Sequence, residues 1–473
     1  MPSAKIITRF APSPTGFLHI GGLRTALYSY LFARKNQGTF ILRLEDTDRT
    51  RLVPGAEEKL QATLNLCGLK YDQYLRQSDR LALYQQAAEK LVQQGKAYYC
   101  YCSEQRLEDL RREQAANHLQ PRYDGQCRNL TEKKSEPHVI RFKLPESGKA
   151  NVHDELHGDI TVDWSTMDDF VVLKSDGWPT YHLASVYDDH DQAITHVIRG
   201  EEWLPSLPKH YALYQAFGYD LPKFVHLPLL LNPDKSKLSK RQGDVAVEDF
   251  IDHGYLVQAL INYVALLGWN PGDEREFFTL AELVENFDLQ RLNHSAAIFD
   301  QTKLKWFNAY YIRQAVQEKN QNYSYISEEV KKLLPADSSI DLANLLEVFS
   351  SRLETIQQIQ ADSAFIFTAP EYQPKLLIFR KSNVGATRLG LTTAQKNLAQ
   401  LKKDQWNKAD LENILKQVMA EEKLSFGDIF WPVRVAMSGR ESSPSPVELI
   451  WLLGQTETLK RLEQALKKLS SMV

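Results

Sequence analysis

Four groups of residues in this sequence have types and spacings that could do chemistry. Near the start, the string RFAPSPTGFLHIGG runs from Arg9 to Gly22 and delivers His19 and the pair Gly21-Gly22 to the beginning of a helical pattern. A helix N-terminus presents N–H groups without intrahelical partners, and its dipole favours negative charge. Glycines there let a ligand approach the backbone, so a phosphate or adenylate can sit beside the imidazole. A second group, Glu45, Asp46 and Asp48, closes an apolar run at the edge where open α/β sheets face their ligand crevice. A third, in NPDKSKLSKRQGD, crowds Lys235, Lys237, Lys240 and Arg241 into one polar loop, a pattern that by itself describes a solvated loop. The fourth is Cys100, Cys102 and Cys127, whose clustering suits a metal better than a disulfide. A tetrahedral structural zinc site needs four donors, and His118 is a further donor in the same stretch. Neither GxxxxGK[ST] nor GxGxxG occurs in the first half of the nucleotide-binding pattern, so neither the P-loop nor the dinucleotide design explains how a nucleotide would bind.

The elements that must position these groups follow from periodicity. Ile6-Ile7 leads a strand into the Pro- and Ser-punctuated loop. Leu23, Leu27, Tyr30 and Leu31 then mark one buried face of a helix, which Gly38 stops. Residues 39–46 predict a buried strand, and 56–66 and 79–94 predict helices, a β-α-β-α rhythm that points to a doubly wound parallel sheet. From Tyr98 the texture changes to YYCYC, a polar helix near 104–118, and strand-like alternation over 139–144 and 152–164, which reads as an inserted module. A turn at Asp176-Gly177 joins expected strands at 170–173 and 180–187, and the acidic run Asp188, Asp189, Asp191 closes that segment. The sheet resumes with a strand over 194–198 ending at Arg199, a helix over 206–217 and a strand over 223–231. Beyond Val247 the periodicity is helical nearly throughout, including 256–267, 342–359 and the leucines 459, 462, 466 and 469, with Pro and Ser punctuation over 442–446. The expected fold is therefore an α/β doubly wound, Rossmann-like domain with an α+β insertion, followed by a mainly α-helical C-terminal half.

A chain of 473 residues is too long for one core and predicts several domains in series. The net charge of −3 does not advertise a nucleic-acid partner, so RNA contact would come from local basic patches. Four cysteines are too few for a disulfide scaffold, and a reducing cytosol is the natural setting. Neither a membrane segment nor a targeting peptide is read from the sequence.

The string from Arg9 to Gly22 closely resembles the first signature of the class I aminoacyl-tRNA synthetases, and its PSPTG portion resembles the glutamyl branch of that family. The family pattern is HIGH; this chain has HIGG, with Gly22 where a second histidine would stand. Lys237-Leu238-Ser239-Lys240-Arg241 resembles the second signature, KMSKS, and follows a strand as that resemblance requires. The resemblance covers essentially the whole chain and implies ATP-dependent activation of L-glutamate and its transfer to tRNA(Glu). It implies a catalytic domain over 1–99 and 191–245, an acceptor-end-binding insertion over 100–190, a stem-contact region over 246–325 and an anticodon-binding region over 326–473. His19 and Lys240 would be catalytic, and Gly21, Gly22, Trp203, Lys237 and Ser239 would join them around ATP, which carries Mg²⁺. Arg9, Arg199 and Tyr181 would hold the carboxylates of glutamate, with Ser13 and Glu45 at its amino end. Arg352 resembles the arginine with which discriminating members read the last anticodon base.

The three cysteines resemble the zinc-bearing insertion of some bacterial members, whose fourth ligand is a histidine two residues after the last cysteine; this chain has Asn129 there. Tyr123, four residues before Cys127, resembles the Tyr-x-x-x-Cys arrangement of the truncated relatives that glutamylate a tRNA base, and would complete a structural zinc site. The glutaminyl branch, whose anticodon region is a pair of β-barrels, is disfavoured by the helical periodicity after Val247. The truncated relatives end near the catalytic domain. A non-discriminating ligase that also charges tRNA(Gln) stays open, as does a catalytically inactive tRNA-binding relative, against which His19, Lys240, Arg9, Arg199 and Glu45 count. A monomer is expected, without membrane association.

Overall fold

A computed structural model describes residues 5–130, 133–238, 246–336 and 338–472. The chain forms two compact units, Met1–Ile251 with Leu260–Gln301, and Asp252–Ala259 with Thr302–Val473.

The first unit is built on a seven-stranded sheet. It opens with β1 (Ile7–Phe10), α1 (Ile20–Lys35), β2 (Thr39–Leu44), α2 (Ala56–Leu66), β3 (Gln73–Arg76) and α3 (Leu81–Gln93). Every residue of β2 is buried, as expected of a central parallel strand covered on both faces. The chain then leaves the sheet through β4 (Ala97–Cys100), α4 (Glu104–Ala116) and β5 (Val139–Phe142). β6 (Lys149–Asp154) and β7 (Gly158–Asp163) form an antiparallel hairpin, and β8 (Val171–Leu173) pairs with β5 in a separate three-stranded sheet ordered β4-β5-β8. α5 (Tyr181–Asp191), β9 (His196–Gly200), α6 (Leu207–Phe217) and β10 (Lys223–Leu227) return to the main sheet, whose order is β3-β2-β1-β9-β10-β6-β7. All its pairings are parallel except β6 with β7, so the hairpin within 149–163 extends the main sheet at one edge. Tyr84, Leu91, Leu183, Val186, Leu213 and Phe224 form part of one continuous core that packs helices on strands. β11 (Leu230–Leu231), α7 (Val247–Asp252), α8 (Val257–Ala265), α9 (Leu280–Asn286) and β12 (Ala297–Ile298) follow, β11 pairing with β12.

Two strand expectations change. Residues 181–187 belong to a helix, α5, with Thr180 at its N-cap, and its buried face includes Asp188 and Asp189 beside Leu183, Ala184 and Val186. Hydropathy reads those acids as exposed, which hides the helical period and leaves an apparent alternation. The strand expected over 223–231 is split into β10 and β11 around Pro228, which has no N–H for a ladder.

The second unit is helical: α10 (Gln301–Glu318), α11 (Gln321–Leu333), α12 (Leu342–Phe349), α13 (Gln358–Phe367), α14 (Val384–Ala399), α15 (Lys408–Glu421), α16 (Phe426–Ser438) and α17 (Pro446–Ser470). The helical run expected over 342–359 is interrupted between α12 and α13. The Ser and Pro punctuation before α17 is a cap. Ser445 Oγ accepts from the Glu448 N–H at 3.2 Å, Glu448 Oε2 accepts from the Ser445 N–H at 2.7 Å, and Pro446 occupies the first turn. Buried Arg461 donates to the Met437 carbonyl at 2.6 Å and the Phe365 carbonyl at 2.7 Å, tying α17 to α16 and α13. No described helix is long and apolar enough to cross a membrane.

Candidate active site and metal centre

The C-terminal ends of β1, β2 and β9 and the N-termini of α1 and α5 surround a cleft of about 660 Å³. Its walls include Arg9, Ser13, His19, Gly21, Gly22, Glu45, Tyr181, Arg199, Trp203 and Lys237, so these sequence-identified residues come together. Ser239 and Lys240 lie outside the described residues.

His19 is the N-cap of α1, and its Nδ1 accepts the Gly22 N–H at 3.0 Å. This bond fixes the tautomer: Nδ1 carries the lone pair and Nε2 the proton, so the ring is a donor at Nε2. The sequence predicts bare N–H groups at this end; the imidazole itself satisfies one of them. Gly21 makes the fold-back of the ring feasible, because a Cβ there would lie 3.1 Å from the imidazole. The loop before the helix is tied to the end of β2, where the Glu45 N–H donates to the Pro12 carbonyl at 2.9 Å.

The charged groups of the cleft floor are buried and divided between two kinds of support. Arg9 Nε donates to Asp189 Oδ1 at 2.9 Å, and Arg43 Nη1 donates to the same oxygen at 2.7 Å. Arg43 Nη2 reaches Glu45 Oε1 at 3.2 Å. Burial pushes the Glu45 carboxyl up to about 7 against the pull of Arg43 and Arg9. The two neighbouring guanidinium groups hold Asp189 below its ordinary range despite burial. Arg199 is supported differently: its Nη1 donates to Tyr181 Oη at 2.8 Å and to His210 Nδ1 at 3.3 Å, and its Nε donates to His226 Nε2 at 2.9 Å. Its Nη2 is buried and has no hydrogen-bond partner among the described residues. Trp203, 38% exposed, packs its ring 4.3 Å from that of Tyr181, leaving an aromatic surface at the rim.

Sequence reasoning missed Arg43, Asp189, His210, His226 and Asp154 as parts of this site. Arg43 carried a signal, since it is a charge inside the otherwise apolar strand TFILRL and a fully buried arginine requires carboxylate partners. Asp189 was visible only as one member of an acidic run. His226 and Asp154 meet through strand register, which local sequence does not report.

At the insertion, Cys100, Cys102 and Cys127 place their sulfurs within 4.8 Å of one another. Tyr123 Oη lies 3.4 Å from Cys100 Sγ and 3.5 Å from Cys102 Sγ, and Cys102 Sγ lies 3.6 Å from Cys127 Sγ. Four donors tetrahedrally arranged around zinc, with bonds of 2.0–2.3 Å, stand roughly 3.3–3.8 Å apart. The donor set fits. Arg141 Nε contacts Cys100 Sγ at 3.3 Å and Arg106 Nη1 contacts Cys102 Sγ at 3.5 Å, two cations that would balance an excess of anionic ligands. His118 and Asn129 are exposed, and His118 does not belong to the cluster.

In the second unit Arg352 lies in the turn after α12 rather than within a helix, exposed, with Nη2 donating to the Ser443 carbonyl at 2.6 Å.

A histidine-capped helix end, two arginines and an acid thus line one crevice of a doubly wound sheet. Residues 5–306 match the family model "tRNA synthetases class I (E and Q), catalytic domain", and residues 314–466 match "Anticodon binding domain". The chain belongs to the class I tRNA synthetases of the glutamate and glutamine group. It is 41% identical to the glutamate–tRNA ligase of Clostridium novyi, covering 100% of both chains, and 40% identical to that of Clostridium kluyveri, covering 98% of both. Among solved structures it is similar to a glutamate tRNA ligase from Elizabethkingia meningosepticum in complex with its amino acid, with a TM-score of 0.88, 33% identity and coverage of 98% of this chain and 99% of that one.

Proposed function

We propose that this chain is a glutamate–tRNA ligase, activating L-glutamate with ATP and transferring it to the 3′-terminal adenosine of tRNA(Glu). The observation that carries this reading is the single cleft in which a histidine-capped helix N-terminus meets Arg9, Arg199 and Glu45.

ATP enters as its Mg²⁺ complex. The α-carboxylate oxygen of glutamate attacks the α-phosphorus, a P–O bond forms, the bond to the bridging oxygen breaks and pyrophosphate leaves. The protein supplies no nucleophile; it positions the reactants and stabilises charge that grows on the phosphoryl oxygens and the leaving group. His19, a donor at Nε2, and the N–H groups opening α1 serve one side of the phosphate. Lys240 serves the other as a point charge, with Lys237 and Ser239 in the same loop. Trp203 packs against adenosine. Arg9 and Arg199, with Tyr181, hold the two substrate carboxylates, because a guanidinium fork binds a carboxylate through parallel hydrogen bonds. Glu45 and Ser13 meet the ammonium. In the second step the 2′-hydroxyl of the terminal adenosine attacks the acyl carbon and AMP leaves.

Zinc bound by Cys100, Cys102, Cys127 and Tyr123 would have a structural role. With four protein donors the site keeps no open position, and it would fix the module that meets the acceptor end. Arg352 reads the anticodon. The four cysteines are all free, which suits a reducing cytoplasm.

Pyrophosphate exchange in the presence of tRNA(Glu) and glutamate tests the activation step. The wild-type chain exchanges, and Lys240→Ala lowers kcat by about 10²–10³-fold, the loss expected on removing one group that stabilises transition-state charge. An inactive wild-type chain would leave the binding-only relative as the correct reading. Wild-type kcat in Lys240→Ala would return the lysine loop to solvent.

A further inference from the structure

Three adjacent strands of the main sheet each bring one polar side chain to neighbouring positions on the same face. The register of β9 and β10 pairs Arg199 with His226, and that of β10 and β6 pairs Asp154 with Phe224, two residues before His226 on the same face, from where the Asp154 carboxylate reaches His226 diagonally. Asp154 and His226 are fully buried. Asp154 Oδ2 accepts His226 Nδ1–H at 2.7 Å and the His226 backbone N–H at 3.1 Å, while Oδ1 accepts the N–H groups of Leu156 at 3.0 Å and His157 at 2.9 Å. With Nδ1 protonated, His226 Nε2 keeps its lone pair, and Arg199 Nε donates to it at 2.9 Å.

The choice of an imidazole at this point has an electrostatic consequence. Arg9 and Arg43 share the Asp189 carboxylate, and Arg43 also has the carboxylates of Glu45 and Asp188 within 4 Å, so this pair of guanidinium groups faces acidic partners. Arg199 is held by His226, His210 and Tyr181, and burial keeps all three uncharged, His226 at about 4 and His210 well below its ordinary value. A carboxylate in place of His226 would hold the guanidinium equally well and would cancel its charge. The imidazole orients it and leaves the charge to be met by a ligand, at the buried Nη2 that has no partner among the described residues. The Asp154 charge stands one ring further away.

We propose that Asp154 and His226 are positioning residues for glutamate: Asp154 fixes His226 as a neutral acceptor, and His226 holds Arg199 with an unneutralised edge facing the substrate carboxylate. This rests on the reading above, in which Arg199 binds a carboxylate of glutamate.

The test is steady-state pyrophosphate exchange by the full chain with tRNA(Glu), measuring KM for glutamate and for ATP separately, with thermal unfolding to confirm that each variant is folded. Asp154→Asn is nearly isosteric. Whichever way its amide turns, an N–H group faces either the Leu156 and His157 donors or the two His226 donors, and in the second case His226 must turn a proton toward Arg199. His226→Leu removes the acceptor. Each should raise KM for glutamate about tenfold or more, the loss of one hydrogen bond to a charged group, with KM for ATP within about threefold of wild type. His226→Gln offers a carbonyl to Arg199 and an amide to Asp154, and should restore KM for glutamate to within about fivefold of wild type. If His226→Leu does not fold, the contrast between Asp154→Asn and His226→Gln decides. Equal rises in both KM values, or an unchanged KM for glutamate in folded Asp154→Asn, would overturn the proposal. Arg199→Gln separates the two levels: a raised KM for glutamate there with a normal one in Asp154→Asn rejects only the positioning role, whereas a normal KM in Arg199→Gln rejects the assignment of Arg199 itself.

Discussion

Arg9 Nε and Asp189 Oδ1 meet at 2.9 Å from opposite halves of the first unit, β1 at its start and α5 after the insertion, and the same oxygen accepts from Arg43. One buried carboxylate thus fixes two guanidinium groups at the cleft floor. Asp189→Asn leaves two buried cations sharing a neutral amide. The expected cost is about 3–5 kcal/mol of stability, as for one partner removed from a buried pair. Urea unfolding checks this, and a loss below about 1 kcal/mol would show that Arg9 and Arg43 find other partners.

Glu45 gives a pH dependence with two opposite signs. Its carboxyl is raised to about 7 by burial, so the folded chain takes up this proton more readily than the unfolded one. Through this residue, stability is greatest in acid and falls as pH rises between 4.5 and about 7. Binding of the glutamate ammonium needs the charged form. KM for glutamate should therefore rise as pH falls below about 7, approaching tenfold per unit, and the slope should vanish in Glu45→Gln. An equal slope in that variant would assign the titration to another group.

The cysteine cluster predicts about one equivalent of zinc in protein purified without chelator or a polyhistidine tag. Tyr123→Phe should lower zinc affinity by tenfold or more and leave the three thiolates. Absence of zinc would reject the site, and full retention in Tyr123→Phe would reject the phenolate ligand.

Arg352 is anchored to the Ser443 carbonyl through one nitrogen, and its exposed fork offers further donors to a base edge in an unstacked loop. Arg352→Gln should narrow the preference for tRNA(Glu) over tRNA(Gln) by about tenfold or more, read as the ratio of kcat/KM values. An unchanged ratio would remove Arg352 from the anticodon site.

The legible parts of this protein were those with local signatures. α2 is periodic and continuous and lies at the expected residues 56–66; β2 is apolar apart from its first residue and Arg43; and the loop into α1 carries His19 and its glycines within four positions. The α5 segment reads as a strand because acids on its buried face are paired with arginines distant in sequence, an arrangement invisible to hydropathy. The support behind Arg199 was illegible for a related reason. Asp154, His226 and Arg199 are adjacent only across strands, and their partnership is a property of sheet register.

The most direct test of the whole account is aminoacylation of purified tRNA(Glu) and tRNA(Gln) by the full chain, with labelled glutamate and, separately, labelled glutamine. The expected result is glutamate esterified to tRNA(Glu), dependent on ATP, with no glutamine attached to either tRNA. Attachment of glutamine, or no attachment of glutamate to tRNA(Glu), would contradict it.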